Sequence, residues 1–440
     1  MPAVTEELST YLDIFGSRAE KRRSEPDWLV ERRNRGMQQF AEQGFPTTKH
    51  EEYRYTNLAP IAKTPFRIAD GGTVTLDDLA PFLYNEIKGD RLVFVNGQYS
   101  RPLSSVADLK VSVTTTGYLL ADNPAVIAPH LARYSTERNN PLAALNSALF
   151  SDGAIVRVPE YSAWDAPVHL VFVSTADAPD TATHPRVLVI AGRDSEAAVI
   201  ETHCGIGDTP YWTNAVTEIV AADNARLDHY RLQQETLSAF HTSLVEIHQG
   251  RDANVTTHSV SFGGALVRND VEVVLEDENS ECTMNGLYAI NGRQHVDNRT
   301  CVDHTMPHCT SHQLYKGVLD GYARGVFGGK IIVRPDAQKT DAFQSNKNLL
   351  LSENADVNTK PQLEIDANDV KCSHGATIGQ IDDEAAFYLR SRGLGESEAR
   401  SLLTYAFAAD LLERMKFAPV RDRFESLLMA KLVQQRASKP

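Results

Sequence analysis

Val216–Thr217–Glu218–Ile219 is followed by two variants of the same pattern, Leu244–Val245–Glu246–Ile247 and Glu272–Val273–Val274. Each of the three segments precedes a polar turn and another strand-like run. The two isoleucines and the final valine lie about 28 and about 27 positions apart, a spacing in the range of solenoid repeats. Because the repeat contains strands and no helix, it predicts coils of a β-helix, each stabilised by the coils above and below it.

The same texture extends far to either side of these repeats. From about Gly153 to Gly379, short runs rich in Val, Ile, Thr and Tyr are separated by Gly, Asn and Asp, and no clear amphipathic helix interrupts them. This pattern is typical of an all-β segment. A β-sandwich remains the alternative, because it also produces short strands with turn signals. The raggedly periodic spacing favours the β-helix.

Helical periodicity appears at both ends of the chain. Near the N-terminus, Pro26 and Asp27 begin a helical pattern that Gly44 and Pro46 end. Beyond Gly379, apolar residues recur at helical spacing in two successive stretches. We therefore expect a mainly helical N-terminal domain over residues 1–150, a β-helix core over 151–379 and a C-terminal helical domain over 380–440.

Composition and charge exclude several classes of function. The chain has 440 residues, of which 42% are hydrophobic, and a formal net charge of −14. An excess of acidic groups repels a phosphate backbone, and the basic cluster between Arg18 and Arg35 is interleaved with acidic residues, so nucleic-acid binding is not expected. No apolar run approaches the ~18 residues of a membrane span. The first sixteen residues lack the features of a secretory signal, so a cytoplasmic location is expected.

The cysteine pattern argues against a permanent metal site or a disulfide framework. The five cysteines are odd in number and widely spread, as in proteins of a reducing compartment: Cys204, Cys282, Cys301, Cys309 and Cys372. There is no CxxC pair, so spacing alone indicates neither a closed zinc site nor a ferredoxin-like array. Any metal held here should therefore be held transiently or together with a partner.

Residues 303–312 are the stretch richest in imidazole and thiolate ligands. It contains His304, His308, Cys309 and His312, and neutral imidazole and thiolate both suit zinc or iron. If the stretch were one strand, the three histidines would share a face and Cys309 would not. His304 and Cys309 are thus candidate metal ligands, with polar residues of a turn as the alternative.

Cys372 and His374 form the second candidate site. They are two positions apart, so in a strand they lie on one face, within reach of one ion or one sulfur atom. Gly375 would let a partner backbone approach closely. An ordinary Cys–His pair in a β core is the alternative.

Signatures of common enzymes are absent from the sequence. It has no GxSxG elbow, no HExxH helix and no complete phosphate loop, because Arg324 and Ile331 replace two required residues of the nearest match. One enzymatic alternative remains, a β-helix carbohydrate-active enzyme that uses carboxylates on one face. Glu218, Glu246 and Glu272 recur at coil starts and would be its candidates, although we expect them to be solvated turn edges.

Six ordered words near the C-terminal end resemble the SufB/SufD family of iron–sulfur cluster assembly proteins, and its SufD branch in particular. They are QKTD (338–341), NKNLLL (346–351), TKPQLEI (359–365), DVKCSHGAT (369–377), FYLRSRG (387–393) and YAFAA (405–409). Upstream, GFPTT (44–48), EEYRYT (51–56) and YKGVLDG (315–321) also match, with Tyr53 where tryptophan is common in the family. The resemblance reaches both ends of the chain.

The resemblance implies a fold and a set of partners. The fold is a right-handed parallel β-helix flanked by N- and C-terminal α-helical domains, in agreement with the strand-like and helical sequence patterns described above. The partners are a SufB-type subunit paired through the β-helix and SufC-type ABC ATPases docked on the C-terminal helices. It further implies a scaffold rather than an enzyme, with a transient iron–sulfur cluster shared with the partner subunit. It leaves open a homodimer of the isolated chain and the involvement of a flavin.

By the same resemblance, His374 is the best candidate for cluster assembly at the subunit interface, with Cys372 as its neighbour. A SufB-type paralogue is the alternative within the family. SufB chains carry a cysteine in the stretch matching Asn346–Lys347 and a His-Glu pair where this chain has His374–Gly375. These departures favour the SufD branch and imply that the principal thiolate belongs to the partner.

Overall fold

The computed structural model describes residues 6–69, 71–84, 86–106, 112–137, 140–175 and 179–437. The helices of these ranges are α1 Glu6–Ser17, α2 Ala19–Arg22, α3 Asp27–Gln43, α4 Ala59–Ala62, α5 Leu76–Leu79, α6 Thr116–Asp122, α7 Tyr134–Glu137, α8 Pro141–Leu149, α9 Asp383–Ser391, α10 Glu396–Leu412 and α11 Ala418–Ala437. Short 3₁₀ turns occur at Glu51–Tyr53, Ala80–Phe82, Arg101–Leu103 and Pro124–Val126. Helices thus flank the β region at both ends.

The first strands are short, and those of the central region are mostly long. They are β1 Arg67–Ile68, β2 Arg91–Val95, β3 Gln98–Tyr99, β4 Val113–Thr115, β5 Gly153–Val158, β6 Val168–Thr175, β7 Thr181–Thr183, β8 Arg186–Ala191, β9 Glu196–Ile206, β10 Tyr211–Ala221, β11 Arg226–Gln234, β12 Phe240–Gln249, β13 Asn254–Ser261, β14 Leu266–Leu275, β15 Glu281–Ile290, β16 His295–His304, β17 Thr310–Leu319, β18 Arg324–Val333, β19 Asp341–Leu350, β20 Asp356–Ile365 and β21 Lys371–Gly379.

Successive long strands alternate between two parallel sheets. Sheet A follows the order β20-β18-β16-β14-β12-β10-β8-β5-β4, and sheet B follows β21-β19-β17-β15-β13-β11-β9-β6-β2-β3. Every pairing from β8 to β20 and from β9 to β21 is parallel. The chain therefore winds into a parallel β-solenoid of about seven turns with helices at both ends, and the predicted fold class is confirmed.

The register supports the predicted repeat and corrects it by one residue. Ile219 lies opposite Ile247, as the spacing predicts. Ile247, however, lies opposite Val273 rather than Val274, which pairs with His248. A slip of one residue moves a side chain to the other face of a strand. Val273 is accordingly buried in the core and Val274 is not.

Glycine and tyrosine exchange places between two neighbouring coils of the interior. Gly286 lies opposite Tyr315, and Tyr288 lies opposite Gly317. A Cβ atom on Gly286 would lie 2.1 Å from the Tyr315 ring, and one on Gly317 would lie 2.5 Å from the Tyr288 ring. Each ring therefore occupies the space that the facing glycine leaves empty.

The N-terminal region packs on the outer face of sheet A. Helix α8 contacts β10 and β12, and the buried Glu218 carboxylate accepts hydrogen bonds from the backbone N–H groups of Ala132 (2.7 Å) and Ser135 (3.1 Å). Arg186 completes this site with an ion pair of 2.6 Å to Glu218. Strands β2 and β3 belong to sheet B and β4 belongs to sheet A, although all three precede residue 150. The division of the chain at residue 150 therefore stays a prediction.

The C-terminal helices pack on the outer face of sheet B. Helix α10 contacts β15 and β17, and one apolar cluster joins the C-terminal region to the sheet, with the C-terminal members Ala408, Leu411, Leu412, Met415, Val420, Phe424, Leu428 and Leu432. Asp382 caps α9, and Gly393 follows that helix at a φ of +98°. No helix within the described ranges is both long and apolar enough to cross a bilayer.

Candidate functional site

The last coil of the solenoid contains the Cys372–His374 pair. Strand β21 pairs with β19, and within the described part of the chain no further strand of sheet B follows it. Cys372 lies opposite Ala342, and His374 lies opposite Gln344. Ala342 and Gln344 are buried on the inner side of their strand. The same face of β21 is not covered by a further strand of the described ranges and is therefore open at the end of the solenoid.

Cys372 and His374 differ in their exposure although they share this face. Cys372 is half-buried against an apolar cluster that includes Ile331, Val333 and Ala342. Burial, and then the nearby Asp341 carboxylate, raise the pKa of the Cys372 thiol. His374 is exposed. The pair therefore presents an accessible imidazole beside a thiol that stays protonated at neutral pH.

The histidine-rich stretch is not one strand. Strand β16 ends at His304, and β17 in the other sheet begins at Thr310. His308 lies in the connecting turn with a φ of +62°, and His312 is exposed on β17. The condition of a single strand, under which the three histidines would share a face, is therefore not met, because a turn separates them.

His304 and Cys309 are both buried. His304 Nε2 lies 2.9 Å from the Ser311 hydroxyl, and burial lowers the pKa of its imidazole to about 4. Cys309 belongs to the solenoid core, its Sγ lies 3.2 Å from the Asp277 carbonyl oxygen, and burial raises its pKa. Among the described residues, no three His, Cys, Asp or Glu side chains are grouped to hold a metal ion. A metal role for His304 and Cys309 stays a prediction.

The three glutamates of the repeat are in register, and two of them are not solvated edges. Glu218 lies opposite Glu246, which lies opposite Glu272. Glu218 and Glu246 are fully buried, and Glu246 lies 3.1 Å from His248 Nε2. The expectation of solvated turn edges is wrong for these two, because the N-terminal region covers this face. Glu218 is buried and already binds Arg186 and two backbone N–H groups, so a carbohydrate cannot reach it.

Sequence reasoning missed a buried polar network inside the first coils. Glu201 accepts hydrogen bonds from Thr217 (2.9 Å) and from His229 Nε2 (3.0 Å), whose other ring nitrogen lies 3.0 Å from Thr257. Burial alone would raise the pKa of Glu201, but His203 and His229 hold it well below its usual range. Glu201 and His203 are neighbours on β9, but Thr217, His229 and Thr257 lie on three other strands, and nothing in the linear sequence brings those three together with Glu201.

The chain resembles known proteins over most of its length. A family model for the SUF system FeS cluster assembly SufBD core domain matches residues 172–407, and one for the SufBD protein N-terminal region matches residues 5–170. An iron–sulfur cluster assembly SufBD family protein of Synechocystis is 32% identical over 97% of this chain and 96% of its own length. The iron–sulfur cluster assembly protein SufD of Escherichia coli is 34% identical over 86% of this chain and 88% of its own length. The chain is thus a SufBD-family protein of the Suf iron–sulfur cluster assembly system and a homologue of SufD.

Proposed function

We propose that this chain is a scaffold subunit of a Suf assembly complex, which pairs with a SufB-type subunit through the last coil of its solenoid. The observation that carries the proposal is the open end of sheet B, where His374 is exposed on a face that is buried in the preceding coil. A subunit that covers this end would bring its own ligands to His374.

Exposed apolar side chains around the last coils support this pairing surface. Phe343, Ile365 and Ile378 belong to β19, β20 and β21, and each has at least 40% of its surface exposed. Apolar side chains so exposed at the end of a stack favour burial against a partner. Strand β21 also has an edge available for main-chain pairing. A SufB-type subunit is the partner that the family relationship favours.

The C-terminal helices supply a second docking surface. Phe387 and Tyr388 of α9 and Leu402 of α10 are exposed, Phe387 by 70%. The opposite side of these helices packs on sheet B, so the exposed side is available to another protein. We propose that it docks SufC-type ABC ATPases, whose nucleotide state would bias the opening of the subunit interface.

At the shared interface, His374 would take part in cluster assembly with Cys372 beside it. Neutral imidazole is a suitable ligand for iron, whereas the raised pKa of Cys372 makes its thiol a weak nucleophile at neutral pH. The cluster would be transient cargo shared with the partner. The chain itself would act in the cytoplasm and would catalyse no turnover of its own.

Native mass spectrometry under anaerobic conditions tests the partners. The full chain is mixed with a SufB-type subunit and a SufC-type ATPase, and we expect a complex that contains all three. A stable dimer of this chain that excludes the SufB-type subunit would contradict the pairing. Enzymatic activity of the isolated chain on a polysaccharide would revive the carbohydrate alternative.

The site is tested by His374→Ala in the same complex, with His312→Ala as a matched control. His312 is also exposed, but it lies on β17, two coils before the open end. We expect assembly of the complex to survive in both variants and cluster formation to fall only in His374→Ala. Normal cluster formation by His374→Ala would reject the assigned site.

A further inference from the structure

The wall of the solenoid behind His374 contains a buried amide. Gln344 lies opposite His374 in adjacent parallel strands, so their backbones are about 4.8 Å apart and side chains of the same face are neighbours. Gln344 is fully buried. It is therefore the side chain of β19 that lies beside His374 on the inner face of sheet B.

A chain of hydrogen bonds fixes the orientation of the Gln344 amide. The Thr300 hydroxyl donates to Gln313 Oε1 at 2.7 Å, and Gln344 Nε2 donates to the same oxygen at 3.0 Å. This leaves Gln344 Oε1 buried and without a hydrogen-bond partner among the described residues. A buried acceptor without a partner destabilises the protein, so a donor that reaches it is favoured.

Gly329 provides the space for this amide. A Cβ atom at Gly329 would lie 2.0 Å from Gln344 Nε2 and 2.5 Å from its Cδ. Any larger residue at position 329 would therefore displace the Gln344 side chain. Three strands, β16, β17 and β18, thus cooperate to hold a single amide next to His374.

We propose that Gln344 is a positioning residue for His374, and that its Oε1 accepts the N–H of the imidazole when His374 ligates iron. A histidine that binds a metal through one ring nitrogen commonly donates the N–H of the other to a carbonyl or carboxylate, which fixes the tautomer and the ring orientation. The Gln344 amide offers such a carbonyl on the buried side and leaves the other nitrogen facing the partner. This inference rests on the proposed function of His374.

The test compares Gln344→Met, which removes the acceptor at similar volume, with Gln344→Glu, which keeps one. The reconstituted complex is loaded anaerobically, and the rate at which an iron chelator extracts cluster iron is measured. Loss of such a partner costs 10- to 100-fold in metal affinity, so we expect about tenfold faster extraction in Gln344→Met and near-normal extraction in Gln344→Glu. In a His374→Ala background, Gln344→Met should add nothing further.

A second readout is independent of the cluster. Long-range ¹⁵N NMR of the histidine-labelled full chain, with His374→Ala to identify the signal, reports the tautomer of the His374 ring. We expect one dominant tautomer in the wild type and a mixture in Gln344→Met. Thr300→Val, which weakens the same chain of bonds one step away, should shift both readouts in the same direction and serves if Gln344→Met fails to fold.

The outcomes separate this inference from the proposed function. Wild-type extraction and an unchanged tautomer in Gln344→Met, or in Thr300→Val if that variant has to serve, would overturn the role of Gln344 while an impaired His374→Ala still supports the site. If His374→Ala itself retained its cluster normally, the site assignment would fail first.

Discussion

The two helical flanks of the solenoid cover different sheets and are held by different forces. On sheet A, the N-terminal region is anchored by buried charge, with Glu218 between Arg186 and two backbone donors. On sheet B, the C-terminal helices are held by a broad apolar cluster that contains Phe424 and Leu428. The stability that a buried ion pair provides is lost abruptly when one partner is removed, because the other charge stays buried without a partner. The stability that apolar burial provides decreases in proportion to the apolar area removed.

The largest expected effect is the loss of the N-terminal anchor in Glu218→Gln. Removing one member of a buried ion pair costs about 3–5 kcal/mol because the other charge stays buried and uncompensated. We expect amide hydrogen exchange to accelerate strongly in residues 132–137 and 140–149, and the C-terminal helices to keep their protection. Glu353→Gln, at an exposed position, is the control; equal protection in both variants would show that the charge does not hold this flank.

A smaller and graded effect is expected on the other flank for Leu428→Ala. Leu428 is fully buried in α11, and truncation of such a leucine costs about 2–5 kcal/mol, depending on how far the site collapses. Hydrogen exchange should accelerate in α10 and α11 and remain unchanged near Glu218. Met429→Ala, whose side chain is 42% exposed, should leave exchange close to that of the wild type.

The smallest effects concern pH, and they should have opposite signs on the two flanks. On sheet A, the His248 ring packs at a tilt against the Tyr134 ring, with ring centroids 4.1 Å apart. Burial would lower its pKa, but hydrogen bonds to Glu246 and Glu276 raise it to about 9. Because the pKa is higher in the folded protein, this stabilisation is complete below about pH 6.5 and is lost as the pH rises through 9.

Lys431 should act in the opposite direction beneath α11. Its amine donates to the Ala289 carbonyl (2.8 Å) and to Gln294 (3.2 Å), and burial lowers its pKa to about 7. The unfolded chain binds more protons between pH 7 and 10.5, so this contribution to stability increases as the pH rises through that range.

Hydrogen exchange between pH 7 and 9, corrected for its intrinsic pH dependence, measures both trends in one molecule. We expect the N-terminal flank to loosen and α11 to tighten over this range. His248→Gln should abolish the first trend and Lys431→Met the second. If hydrogen exchange changed in the same direction on both flanks of the wild type, His248 and Lys431 would not be the cause.

Much of the fold was predictable because the solenoid repeats itself in sequence. The apolar repeat at Ile219 and Ile247 corresponds to one coil of the structure. The error at Val274 arose because the spacing between facing residues is 28 from Ile219 to Ile247 but 26 from Ile247 to Val273, a shortening that a ragged repeat does not reveal. The burial of Glu218 could not be predicted either, since it depends on a helical region some 80 positions away.

The candidate site was predictable only in part. The spacing of Cys372 and His374 correctly placed both on one face, because that follows from strand geometry alone. The contrast between the half-buried thiol and the exposed imidazole required the register of β19 and β21. The position of Gln344 next to His374 could not be predicted for the same reason. The two residues are 30 positions apart in the chain and lie directly beside each other in the sheet.

The exchanged glycines and tyrosines of β15 and β17 make each of these two coils fit only its present neighbour. A solenoid of interchangeable coils could gain or lose one without penalty. Here, deletion of the coil that contains β15 would place Ser259 of β13 opposite Tyr315 and would remove the glycine that makes room for that ring. Evolution can therefore lengthen the turns of this protein more easily than it can change the number of its coils, and the distance between its two ends is correspondingly fixed.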